Sequence, residues 1–82
     1  MKIDYTFHAD LQCKIRKISR GTVEEVLIKP DYLEPDTLDT ELIHYVKRVG
    51  ERYLRVVAKK KGKTLDVITA FYDRRLLRRF KK

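Results

Sequence analysis

Apolar side chains recur at helical intervals along the first third of the chain. Phe7, Leu11, Ile15 and Ile18 follow one another at steps of four, four and three residues, which predicts a helix from about Thr6 to about Lys17 with these four on its inward side. Met1 to Tyr5 suits a short edge strand. Ser19-Arg20-Gly21 interrupts the period, and Thr22 with Glu25 three residues later has the spacing of a capping box, so a second helix is expected from Thr22. Val23, Val26 and Leu27 form its apolar face, and Pro30 ends it because proline disfavours helix in the residue before it and lacks a backbone donor.

Asp31 to Thr40 carries a second proline and several acids and reads as an irregular crossing, with a short extended piece around Tyr32-Leu33. Beyond it the period changes. Leu42 to Val49, Arg52 to Lys59 and Thr64 to Tyr72 are rich in Val, Ile, Tyr and Thr and predict three strands. Gly50-Glu51 suits a tight hairpin with glycine first, and Lys60 to Lys63, containing Gly62, a second one. Asp73 can cap a last short helix that uses Leu76, Leu77 and Phe80 as apolar contacts.

The expected architecture is α+β in a single domain spanning residues 1–82. Two N-terminal helices pack on one face of an antiparallel β-meander, a short basic helix closes the chain, and the other sheet face stays open. If Val49 pairs with Arg52, then Ile43, Tyr45, Leu54, Val56 and Ala58 share the core face. The same register puts His44, Arg48, Tyr53 and Arg55 on the other face. A matching second hairpin would add Asp66 and Tyr72, beside Val57, Ile68 and Ala70.

Composition sharpens this picture. Lys and Arg number 20 against 12 Asp and Glu, a net charge of +8, and such a field concentrates phosphate-bearing ligands. The charge is segregated: Arg74, Arg75, Arg78, Arg79, Lys81 and Lys82 crowd the C-terminus, and Lys59, Lys60, Lys61 and Lys63 form a second cluster. Arg74 and Arg75 would oppose the positive end of the last helix, which local stability does not explain and a bound anion would. Cys13 is the only cysteine, so no intrachain disulfide can form and a reducing, cytoplasmic compartment is expected. No apolar run is long enough to cross a bilayer, and no membrane partner is expected.

The mixed face supplies the parts of metal-independent RNA cleavage. The chemistry asks for a base to take the 2′-hydroxyl proton, cations to neutralise the phosphorane and an acid for the leaving oxygen. His44 or His8 suits proton transfer, Arg55 and Arg48 suit phosphate clamping, and Tyr53 or Tyr72 suits stacking or proton donation. Arg74, Arg75, Arg78, Lys60 and Lys61 would add RNA contacts. The competing reading is a solvated sheet face whose Arg, Tyr, His and Asp serve solubility and cross-strand pairing. His8 and His44 are the only histidines and have no ligand-pair spacing, so no metal site and no cofactor are expected.

Several stretches resemble one family. They are His8-Ala9 at the start of the first helix, Arg20-Gly21-Thr22, and Val26 to Pro30-Asp31. Further on come Arg52-Tyr53-Leu54-Arg55-Val56-Val57, Val67-Ile68-Thr69-Ala70 and the basic segment from Asp73. Together they resemble the RelE/ParE-type toxin superfamily, and within it short domains related to BrnT-type toxins. The resemblance implies a RelE-like fold and a metal-independent endoribonuclease toxin whose partners are RNA, free or on the ribosome, and an acidic antitoxin-like protein. It marks His8, Arg55 and Thr69 as matched positions, with Arg74 and Arg75 at the basic end of the sheet. A non-catalytic nucleic-acid-binding module and an interaction protein docking an acidic partner are the alternatives.

Overall fold

The elements run β1 (Lys2–Tyr5), α1 (Phe7–Ile15), α2 (Arg20–Ile28), β2 (Tyr32–Pro35), β3 (Leu42–Val49), β4 (Arg52–Lys61) and β5 (Thr64–Tyr72) in a computed structural model that describes residues 2–76. The fold is α+β, as expected, but the sheet is mixed. Its strand order is β1-β5-β4-β3-β2; β2 to β5 are antiparallel neighbours, and β1 lies parallel to β5. The short extended piece expected around Tyr32-Leu33 is strand β2, antiparallel to β3, and the rest of the crossing, from Asp36 to Thr40, is irregular. Pro35 is tolerated because β2 is an edge strand, where a missing donor breaks no ladder.

The helices cover one sheet face. Ala9 and Cys13 from α1, Ile18, and Val23, Val26 and Leu27 from α2 pack with Leu54, Val56, Ala58, Leu65, Val67 and Ala70. The predicted inward side of α1 is corrected here: only Ile18 is buried, whereas Phe7 is 85% and Ile15 64% exposed. The phase of α1 is fixed at its N-cap, Thr6. Thr6 ties its backbone N–H to the Val67 carbonyl and caps the helix by accepting from the Ala9 N–H at 3.0 Å, which turns the small Ala9 and Cys13 toward the sheet. Small residues allow the close approach, and the larger side chains are left outside.

The break between the helices differs as well. The Ile18 N–H bonds the Cys13 carbonyl at 2.8 Å, and the Lys17 N–H bonds that of Lys14 at 3.3 Å. This is the double closure of a Schellman end, with Lys17 at φ 57° in the left-handed position. Ser19, not Thr22, then caps α2, its hydroxyl accepting from the Thr22 N–H at 3.1 Å. Arg20 and Gly21 therefore open the helix instead of preceding it.

Two turns carry the meander. Gly50 and Gly62, at φ 63° and 59°, each stand first in a two-residue turn, closed by Val49 with Arg52 and by Lys61 with Thr64. Positive φ at that position suits glycine. The second turn is shorter than expected, and Lys60 and Lys61 are strand residues paired with Leu65 and Thr64. Between Val57 and Ala58 the β4–β5 register slips: Val57 faces Thr69 while Ala58 faces Val67. The extra residue, Ile68, reverses the alternation of β5. Thr69 and Phe71 thus join the His44 face, and Ala70 and Tyr72 turn to the helix side, which corrects the placement of Tyr72.

The second sheet face is not open. Val46 and Val57 on that face are buried, and so is Arg55. Strand β4 lies at the centre of the sheet, and its residues Leu54 to Ala58 are buried on both sides. At the end of the described chain the Asp73 carboxylate accepts from the Arg75 N–H at 3.0 Å and starts the expected helical turn over Arg74, Arg75 and Leu76. Leu76 is buried there. Leu77, Arg78 and Phe80 lie outside the described residues. Among the described residues, no helix is long and apolar enough to cross a membrane.

Candidate functional site

Register builds the site in three rows across the face away from the helices. One row runs Glu34, His44, Val57, Thr69; the next Tyr32, Val46, Arg55, Phe71; the third holds Arg48 beside Tyr53. His44 is a diagonal neighbour of Arg55, within reach of a long side chain, and Glu34 lies beside His44 one strand further out. Asp73 follows β5 directly, and its N–H bonds the Tyr53 carbonyl at 2.9 Å. That bond brings the Asp73 carboxylate alongside the third row.

Arg55 is the hub. Its side chain is 7% exposed. Its Nε donates to Asp73 Oδ2 at 3.0 Å, its Nη1 donates to His44 Nδ1 at 2.8 Å, and Nη1 also lies 3.5 Å from Glu34 Oε2. Among the described residues Nη2 makes no hydrogen bond. Burying a guanidinium is costly unless it is paired and hydrogen-bonded, and here a carboxylate and an imidazole meet that condition.

A guanidinium cannot accept a hydrogen bond. His44 Nδ1 must therefore be the acceptor, and Nε2 carries the proton that it donates to Asp36 Oδ1 at 2.7 Å. Asp36 Oδ2 accepts from the N–H groups of Leu38 and Asp39 at 3.1 and 2.9 Å. Hydrogen bonds from His44 first, and then from the Asp39 and Leu38 N–H groups, hold the Asp36 carboxyl below the usual range. In this arrangement both ring nitrogens of His44 are engaged, and neither is free to take a proton from a substrate.

Asp73 is nearly fully buried, and burial alone would raise its pKa. Hydrogen bonds from the Arg75 side chain and backbone and from Arg55 outweigh that, leaving the carboxyl below its ordinary value. Arg75 reaches Asp73 with Nε at 3.2 Å and Nη2 at 3.3 Å while its side chain stays 85% exposed. This corrects the expectation that local stability does not explain Arg75, because Asp73 offsets its charge. Arg74 is exposed. Glu34, Arg55, Asp73, Arg75 and Leu76 together line a cleft of about 250 Å³.

The remaining candidates fall into three places. Arg48 and Arg52 are exposed on either side of the Gly50 turn; Arg48 stands over the Tyr53 ring at 5.9 Å, and Arg52 over Tyr72 at 3.7 Å. With Arg74 and Arg75 they make one basic, aromatic end of the sheet. Lys60 and Lys61 lie at the other end, about 30 Å from Arg52 along β4 at roughly 3.3 Å per residue, and Lys61 is paired with Asp66 at 3.6 Å. His8 is exposed on α1, across the sheet from Arg55. Thr69 sits in the His44 row.

Glu34, Asp36 and the ion-pairing role of Asp73 were not foreseen from the sequence. The available signal was Pro35 as the end of an edge strand, which would have set Tyr32 and Glu34 in alternation beside His44. Cys13 is buried, and burial pushes its thiol pKa up, in keeping with a packing role. Among the described residues, no three His, Cys, Asp or Glu side chains converge as metal ligands. A family model described as Domain of unknown function (DUF4258) matches residues 5–72. No curated protein and no solved structure matches the chain.

Proposed function

The chain belongs to the DUF4258 family, a domain of unknown function, and on that footing we propose that it binds RNA through the arginine-rich end of its sheet. The observation that carries this reading is the grouping of Arg48, Arg52, Arg74 and Arg75, all exposed, with Tyr53 and Tyr72 at one end of a chain of net charge +8. Arginines supply phosphate contacts and an aromatic ring such as Tyr53 a stacking face, whereas Tyr72 lies on the helix side, packed on the core beneath Arg52. The toxin-type role implied by the resemblance belongs to this proposal, with an acidic protein as the partner that would mask the same charge.

Cleavage is a second reading, favoured by one arrangement. Asp36 fixes the tautomer and orientation of His44, as an orienting carboxylate does for a general base. Among the described residues, Arg55 alone occupies the other ring nitrogen. If a bound phosphate draws Arg55 outward, Nδ1 becomes a base with its proton-bearing side already held. Incubating the purified chain with labelled RNA at low salt in chelator tests both readings. Retention of intact RNA supports binding alone; fragments ending in cyclic phosphate, lost on His44→Gln, support cleavage. RNA that neither binds nor breaks removes both.

A further inference from the structure

We propose that the cleft between Glu34, Arg55 and Arg75 reads a guanine base of single-stranded RNA. The inference rests on the RNA reading and adds its specificity. Formal charge is the first argument. The two guanidinium groups in the cleft are matched by the carboxylates of Glu34 and Asp73, so a phosphate placed there would meet two anions. A neutral ligand that carries donors and acceptors side by side suits the cleft better.

The free valences define that ligand. Asp73 is fully used by Arg55, Arg75 and a backbone N–H. Glu34 is not: its side chain is 41% exposed, and its one ion pair among the described residues is the 3.5 Å contact between Oε2 and Arg55. Arg55 keeps Nη2 without a hydrogen bond among the described residues. The rim therefore presents one fixed donor beside a carboxylate that accepts twice. A guanine Watson–Crick edge is the complement: O6 accepts, and N1–H and the N2 amino group donate in line. Adenine, cytosine and uracil each lack that pair of adjacent donors. Leu76 gives an apolar wall, and the exposed guanidinium of Arg75 can stack on the ring face.

Rigidity supports a reading role. Arg55 is held by Asp73 and by His44, which Asp36 holds in turn, so its donor is positioned before a base arrives. Such preorganisation lowers the cost of ordering on binding. Leaving a buried donor unpaired against the wrong base would carry the discrimination.

Calorimetric titration of the full chain with an oligouridylate containing one central guanosine, with the same oligomer containing inosine, and with uniform oligouridylate tests the proposal. The guanosine oligomer should bind at least about fivefold tighter than the uniform one, since a good bidentate base contact is worth that factor or more. Inosine, which lacks the N2 amino group, should lose most of the gain. In Glu34→Gln the guanosine-to-uridine ratio should fall to within about twofold of unity. Equal affinity for the three oligomers, with salt-sensitive binding of all, overturns the guanine site and leaves the RNA reading standing. If no oligomer binds, free guanosine decides for the cleft alone: chemical-shift changes at Glu34 and Arg55 support it, and their absence overturns it.

Discussion

Arg55 and Asp73 form a pair in which both members are nearly fully buried, and neither is cheap to remove. Deleting one partner of such a pair leaves the other desolvated and costs about 3–5 kcal/mol. Arg75 still reaches Asp73, so Arg55→Ala is expected at the low end, about 3 kcal/mol by urea denaturation; a loss below 1 kcal/mol would contradict the pairing. The effect on pH follows from the carboxylates. Asp10, through its hydrogen bond from Arg20, and Asp36 and Asp73 all have lowered pKa values in the fold. A depressed folded pKa contributes stability that is present above the unfolded value, about 3.9, and lost as pH falls through the folded one. Thermal midpoints should therefore fall below about pH 4, and Asp73→Asn should flatten that acid limb; an unchanged limb would show that Asp73 does not carry it. At this scale the sequence disclosed Arg55 and His44 on one face, since strand alternation alone decides that. It did not disclose that Arg55 is buried, because Asp73 and Glu34 reach it from elements whose placement depends on tertiary contacts.

The helix α1 carries two apolar stripes, and the cap chose between them. Phe7, Leu11 and Ile15 lie at helical spacing, but so do Ala9 and Cys13, and periodicity cannot rank them. The tie of Thr6 to β5 settles the phase. Phe7→Ala should then cost less than about 0.5 kcal/mol, whereas Leu54→Ala, at a fully buried position, should cost about 2–5 kcal/mol. Comparable losses at both sites would mean that Phe7 is inside. Lys17 offers an opposite test. A side chain in the left-handed region costs roughly 1 kcal/mol or more, so Lys17→Gly should raise the thermal midpoint; a lower midpoint would count against the Schellman end. Strands β3, β4 and β5 were legible because β-branched runs and first-position glycines mark them directly. The bulge at Ile68 was not, since one extra residue in a ladder leaves no compositional trace, and it alone moved Tyr72 to the other face.

Among the described residues, two of the basic clusters stand at opposite ends of β4. Charge counting alone does not separate them. Their surroundings do: the Gly50 end holds exposed arginines beside aromatic rings, while at the Gly62 end Lys59 and Lys61 pair with Glu41 and Asp66. The salt dependence of RNA binding is therefore expected to come from the arginine end. Each phosphate neutralised on a single strand contributes about 0.7 to the slope of log affinity against log salt. The direct test is a salt titration of binding to a short single-stranded RNA by the native chain, by Arg48→Ala/Arg52→Ala/Arg74→Ala and by Lys60→Ala/Lys61→Ala. The arginine triple is expected to lower the slope by about 2 and the lysine double by less than about 0.7. A flat titration for the native chain, or a larger loss from the lysine double than from the arginine triple, would contradict RNA binding at the arginine end.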